Sequence, residues 1–174
     1  MKVLIIFETV EGQTRKIVDA IEHQVRAAGH DVQHFDASDK LAALSFDSID
    51  KVVLAAPVHE RRHPEGFEVL VGTSLEELSA RDTLLISVSL KAAFPEGLEE
   101  AQDYLVEMEM RTGFEPDKEF LLAGAVRTAS YGYFESQIVQ NVALKGRKIE
   151  LVDGVCEFTD WDALSRKVDA FLDL

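Results

Sequence analysis

Cysteine is nearly absent from this 174-residue chain, proline is sparse, and no apolar run is long enough to cross a bilayer. The single cysteine, Cys156, excludes an intrachain disulfide and a thiolate metal cluster. A small buried hydrophobe is its simpler role, with a redox thiol as the alternative. The longest apolar stretches, Val3–Phe7 and Val52–Val58, fall far short of the roughly 20 residues a membrane-spanning helix requires. Basic residues are also scarce. Eighteen Lys and Arg against 32 Asp and Glu leave a formal net charge of −14. Such a surface repels phosphate backbones and anionic lipid, which excludes nucleic-acid binding and membrane docking driven by net charge. It fits steering toward a basic redox partner, and equally plain solubility or adaptation to salt. No basic leader segment or small-residue cleavage site precedes the first strand-like run, so a soluble, unprocessed, cytoplasmic protein is expected. Length alone points to one domain.

Hydrophobic residues make up 47% of the chain, and their order along it is informative. Lys2–Phe7, Lys51–Ala56, Thr83–Leu90 and Glu119–Val126 are strand-length runs rich in apolar and β-branched residues, the pattern of strands covered on both faces. Asp31–Phe35 reads as a shorter strand interrupted by His34. Between them, Ile17, Val18, Ile21 and Val25 recur at helical spacing, and Gly29 provides a stop. Leu41–Phe46 reads as a weak helical turn. A helix starting at Pro64 is expected to carry Phe67, Leu70, Val71, Leu75 and Leu78 on one side. Glu96–Arg111 reads as an acidic amphipathic helix, and Asp160–Leu174 as a final helix capped by Asp160 or Thr159. Strands alternating with helices predict an α/β fold with a parallel sheet wrapped on both faces. About thirty residues, Arg127–Phe158, separate the fifth strand from the last helix, which is long for a connection inside a domain. Within them Ile138–Leu144 reads as a helix and Lys148–Val152 as an extra strand.

The segment FETVEGQTRKI places Thr9, Val10, Glu11, Gly12, Gln13 and Thr14 between a buried strand and a helix. An anion there meets free N–H groups and the positive end of the helix dipole, with hydroxyls and an amide nearby as further donors. Gly12 allows a close backbone turn. An ordinary strand–helix turn with Thr14 as the cap is the alternative. The loop has neither the spacing of a Walker A motif nor the three glycines of GxGxxG.

These residues resemble the FMN phosphate loop of flavodoxins. The form T-x-[DE]-G-Q-T is similar to one branch of that superfamily, the menaquinone-dependent protoporphyrinogen oxidases. LLAGAVR (121–127), SVSLKA (87–92) and EFTDWDAL (157–164) resemble the same branch in the same order. Glu8 stands where the family has a small residue, and Glu11 where many flavodoxins have threonine.

The resemblance implies a doubly wound five-stranded parallel sheet of order 2-1-3-4-5 with an insertion after strand five, binding FMN. The phosphate is then expected on Thr9–Thr14. The isoalloxazine is expected at the ends of strands three and four, here Pro57, Val58, His59, Glu60 and Arg61 with Ser89, Leu90, Lys91 and Ala92. Neither loop offers Trp or Tyr; Phe94 is the nearest aromatic, with Tyr131 and Tyr133 as contributors from the insertion. A ring left open on one face suits a small-molecule substrate. Arg61 and Arg62 are placed to meet an anionic flavin or substrate carboxylates, or else are solvated loop residues.

The activity implied is oxidation of a reduced tetrapyrrole with a quinone as acceptor. No residue is singled out as its general base. The alternatives are a flavodoxin-type electron carrier docking to a basic reductase, and an interaction module that has lost FMN, motivated by Glu8 and Glu11. In the family the insertion is strongly basic and hydrophobic. Here Arg127, Lys145, Arg147 and Lys148 form no basic amphipathic run, which argues against membrane association. Many relatives of the fold are dimers or tetramers, so a homo-oligomer is one expectation.

His59-Glu60-Arg61-Arg62-His63 matches HExxH, the zinc-peptidase pattern. That chemistry needs both histidines one helical turn apart. Pro57 and Pro64 bracket the five residues and place them in a loop, so no metal is assigned. His30 and His34 flank a short strand as surface or edge residues. Glu96, Glu99, Glu100, Glu107 and Glu109 read as a solvated helix face, with docking to a basic partner as the alternative.

Overall fold

In a computed structural model, which describes residues 1–127 and 152–173, β1 (Lys2–Phe7) lies between β2 (Asp31–Asp36) and β3 (Lys51–Pro57). Beyond β3 follow β4 (Asp82–Ser89) and β5 (Lys118–Ala123), all parallel, in the order β2-β1-β3-β4-β5. The expected doubly wound sheet is therefore present, with the expected strand order.

Side chains alternate across the strands, and each face has its own apolar layer. Val3, Ile5, Phe7, Val53, Ala55, Leu84, Ile86 and Val88 meet α1 (Gln13–Ala27) and the last helix, α5 (Trp161–Leu172). Leu4, Ile6, Val52, Leu54, Ala56 and Leu85 meet α2 (Glu65–Thr73), α3 (Leu75–Ser79) and α4 (Leu98–Thr112) on the opposite face. The continuous apolar runs of β1, β3 and β4 reflect this two-sided cover. The edge strand β2 buries Phe35 and leaves His34 beside the Phe7 ring.

Several boundaries differ from the sequence reading. Leu41–Phe46 is irregular rather than helical. The Asp39 carboxylate accepts from the N–H groups of Leu41 and Ala42, a local alternative to a helical turn. The helix after Pro64 breaks at Ser74 into α2 and α3, where Thr73 turns its hydroxyl back onto the carbonyls of Val69 and Leu70. Helix α4 starts at Leu98 rather than Glu96, because Pro95–Gly97 forms a separate 3₁₀ turn against Lys91, whose carbonyl leaves no room for a side chain at Gly97. The fifth strand ends at Ala123. At Gly124 the backbone passes so close to Val88 that a Cβ would lie 3.2 Å from its Cγ1. Ala125–Arg127 then leaves the sheet as β6 and pairs antiparallel with β7 (Val155–Glu157). The last helix starts at Trp161, and Asp160 caps it by accepting from Ala163 N–H at 2.9 Å. The expected helix at Ile138–Leu144, Tyr131, Tyr133, Lys145, Arg147 and most of the expected strand at Lys148–Val152 lie outside the described residues.

The acidic helix is only partly a solvated face. Burial, together with the facing carboxylate of Glu119, pushes Glu109 up to about 7. The folded chain holds a proton there that the unfolded chain releases near 4.5. The associated stability is present below about pH 4.5 and lost as pH rises through about 7. Glu109→Gln is expected to raise stability at pH 8 by about 0.5–1 kcal/mol, a figure discounted for solvent screening. It should leave stability at pH 4 nearly unchanged, as read from urea midpoints at both pH values.

Candidate functional site

Parallel pairing delivers the ends of β1, β3 and β4 to one edge of the sheet, so the loops after them are neighbours. The first joins β1 to α1. Gly12 has φ +88 and immediately precedes the helix, which has no side-chain cap and no acidic residue in its first turn. The Thr9 hydroxyl accepts the Gly12 N–H at 3.1 Å, closing the turn. The first N–H groups of the 15-residue helix α1 thus face the sheet edge with no intrahelical acceptor. A Cβ built on Gly12 meets nothing within 4 Å, so the turn is open on its outer side. This is an anion-compatible helix end. Thr14 is buried inside the helix and does not cap it; Gly12 stands at the cap position instead. Val10 is exposed.

Gln13 is not among the free donors. Its amide nitrogen donates to Glu157 Oε2 and Thr159 Oγ1, both at 3.0 Å, and its oxygen accepts from Arg127 Nη2 at 2.8 Å. The sequence reading counted this amide as available to an anion; in the fold it is committed to β6, β7 and the residue before the last helix cap.

The two glutamates of the loop have different surroundings. Glu8 turns toward the second helix layer, where its Oε2 is buried without a hydrogen-bond partner and the Phe67 N–H near the start of α2 favours its charge. Burial nevertheless raises it above the ordinary carboxylate range, helped by nearby Asp36. Glu11 faces the next loop, with its Oε1 3.9 Å from His59 Nε2.

The loop after β3 is a tight reverse turn. His59 and Arg62 exchange both backbone hydrogen bonds at 2.9 Å, and Glu60 and Arg61 between them have φ of +47 and +66. Two consecutive non-glycine residues in the left-handed region cost about 1–2 kcal/mol each, and the surrounding contacts hold them there. Arg61 pairs with Glu100 at 2.7 Å and stacks over Tyr104. Arg62 pairs with buried Glu68 at 2.8 Å. Both arginines are therefore tied to helices rather than simply solvated. The turn separates the two histidines of HExxH: His59 is exposed, while His63 is 1% exposed with Nε2 2.9 Å from Ser87 Oγ. Pro57 is buried and Val58 half-buried, and Val58 N–H continues the sheet pairing to Val88.

The loop after β4 begins at buried Ser89, whose hydroxyl accepts the Ala92 N–H at 3.2 Å. Leu90, Lys91 and Ala92 follow, half-buried. Lys91 reaches Glu100 Oε2 at 2.7 Å, so one carboxylate on α4 joins the loops after β3 and β4. Glu100 is held below the ordinary range by hydrogen bonds from Lys91 and Tyr104. Phe94 packs edge-on against Phe158 at 5.5 Å, within a small cluster that includes Val126.

Beneath this crevice lies an ionic group that the sequence reading did not single out. Glu68, 4% exposed, accepts from both Arg62 and Arg111. Burial opposes its charge, but the two guanidiniums overcome that and hold it below the ordinary range. Apolar periodicity gives no signal for a buried acid at this position. His63 lies beside it, and burial lowers it to about 4. The folded state keeps this imidazole neutral where the unfolded chain would protonate it. Its stability is fully present above about pH 6.5 and is lost as pH falls through about 4, a change on the order of 3 kcal/mol. His63→Gln is expected to flatten that part of the stability–pH profile, measured by urea unfolding between pH 4 and 7.

Comparisons with known proteins agree with this fold. The model of the flavodoxin domain matches residues 4–149. The protoporphyrinogen IX dehydrogenase [quinone] of Escherichia coli K12 is 23% identical over 167 residues, covering 95% of this chain and 91% of that protein. Oxidised flavodoxin 1 of Bacillus cereus superposes with a TM-score of 0.56 at 15% identity, covering 99% of this chain and 98% of that one. Flavodoxin 2 of the same organism gives 0.56 at 16% identity, with 99% of each chain covered. The chain belongs to the flavodoxin-domain family.

Proposed function

We propose that this chain is an FMN-dependent oxidoreductase that oxidises a reduced tetrapyrrole and passes the electrons to a quinone. The observation that carries the cofactor assignment is the uncapped N-terminus of α1, opened by left-handed Gly12 at the sheet edge where three loops meet. Its backbone N–H groups and the Thr9 hydroxyl suit a phosphate. The segments Pro57–Arg61 and Ser89–Ala92 would hold the isoalloxazine, a planar ring that fits between loops fixed by the Arg61–Glu100–Lys91 bridge. FMN, when bound, supplies the redox chemistry. The chain's own contribution is to place the ring, to hold two cationic side chains at the crevice rim, and to leave one side accessible. The tetrapyrrole and quinone assignment rests on similarity to the E. coli dehydrogenase across nearly the whole chain.

The second reading is a flavodoxin-type electron carrier, favoured by the net charge of −14 and by exposed carboxylates along α4. A redox partner protein with a basic face would then replace the tetrapyrrole. The third, a module that has lost FMN, took its motive from Glu8 and Glu11. Glu8 turns toward α2, its Oε2 3.3 Å from where a Cβ on Gly66 would lie. No helix among the described residues is long and apolar enough to cross a membrane.

Purified protein is expected to be yellow and to release FMN on denaturation. It should consume protoporphyrinogen IX with menaquinone as acceptor. Colourless protein that ignores added FMN overturns both flavin readings. FMN binding with reduction by a flavodoxin reductase, but without porphyrinogen turnover, selects the carrier. Gly12→Asp, which puts an acid at the helix end, is expected to abolish FMN retention.

A further inference from the structure

The end of α1 is bolted to the β6–β7 ribbon by a carboxylate 144 positions away in sequence. Glu157 on β7 accepts from Gln13 Nε2 at 3.0 Å, Lys16 Nζ at 2.5 Å and Trp161 Nε1 at 2.7 Å. All three donors sit in the first turn of α1 or of α5. Thr159 extends the tie to the main sheet, accepting from Gln13 and donating to the Ala123 carbonyl at 2.7 Å. Arg127 on β6 closes it from the other side through the Gln13 oxygen. Gln13, buried to 6% exposure, thus spends its whole amide on groups outside the phosphate loop while its backbone opens the helix that would receive the phosphate.

We infer that Glu157 and Gln13 are positioning residues for FMN: the carboxylate on β7 sets the angle and register of the anion-binding turn, and cofactor affinity is governed from the ribbon. The inference rests on the FMN reading above. Electrostatics alone makes the opposite prediction. A carboxylate beside a helix N-terminus repels a phosphate, and its removal would also release Lys16 as a free cation, so FMN should bind more tightly without it. Preorganisation predicts weaker binding, because three donors lose their common acceptor and the turn loses its fixed position.

The test measures dissociation constants for FMN by flavin fluorescence quenching, using the full chain stripped of flavin. Glu157→Ala, Gln13→Ala and the double variant are each expected to weaken FMN on the order of tenfold, the scale of a lost supporting contact. The double variant should be no worse than either single one, since the two residues act as a unit. Gln13→Asn keeps an amide but is one methylene too short to reach Glu157, so it should bind as poorly as Gln13→Ala.

Trp161 is the only tryptophan, and its near-ultraviolet circular dichroism should change in Gln13→Ala, reporting loss of the clamp independently of flavin. Glu157→Gln, which keeps the side-chain volume, is read in the same way should Glu157→Ala fail to fold. Unchanged or tighter FMN binding in the Glu157 variants, or additive losses in the double variant, overturns the inference while leaving the FMN reading intact. Wild-type protein that takes up no FMN overturns both.

Discussion

Parallel pairing of β1 with both of its neighbours is the constraint on which the molecule turns. Parallel strands cannot be joined by tight hairpins, so each must be followed by a crossover on one face or the other. That demand buries β1, β3 and β4 on both sides. It also forces the loops after them onto a single edge. The 15-residue helix α1 then inherits its place from β1: its N-terminus faces that edge because the strand before it ends there. Neither the anion-compatible turn nor the crevice beside it needs a dedicated scaffold.

A chain with a net charge of −14 must still keep one helix end receptive to an anion, and it does so by assigning nearby acids elsewhere. Glu8 is turned toward α2. Glu157 is shared among three donors, Glu100 lies between Arg61 and Lys91, and Glu68 lies between Arg62 and Arg111. The last of these is costly to bury, and removing either guanidinium would leave an undercompensated charge in the interior. The same pairings that neutralise the acids also fix the geometry. Arg61 and Arg62 stabilise a turn whose central residues both sit in the left-handed region, and that turn forms one wall of the crevice.

The core strands were legible because two-sided burial writes itself as unbroken apolar runs, and the period of α1 was equally plain in Ile17, Val18, Ile21 and Val25. Boundaries set by local competition were not. Ser74 breaks a helix whose apolar spacing continues through Leu75 and Leu78, and β5 stops at Ala123, just before Gly124 passes close to Val88 on the neighbouring strand. The Thr9–Thr14 loop was legible as a strand–helix junction, and Gly12 as its turning point. What Gln13 does there was not, since its partners lie at positions 127, 157 and 159. EFTDWDAL did mark the right neighbourhood. Arg61 and Arg62 were recognisable as cations at the crevice, but their partners Glu100 and Glu68 lie on helices whose charges look alike in sequence.

The loops after β3 and β4 are held by residues of the helices and the ribbon packed beside them. Phe94 is 9% exposed and packs against Phe158 and Val126, where it supports the base of the β6–β7 ribbon. The loop after β3 presents His59, Glu60 and Arg61, and contains no Trp or Tyr. Glu100 holds Arg61 and Lys91 together. The shared carboxylate thus ties both loops to α4, so the edge where β3 and β4 end is organised by the fold itself.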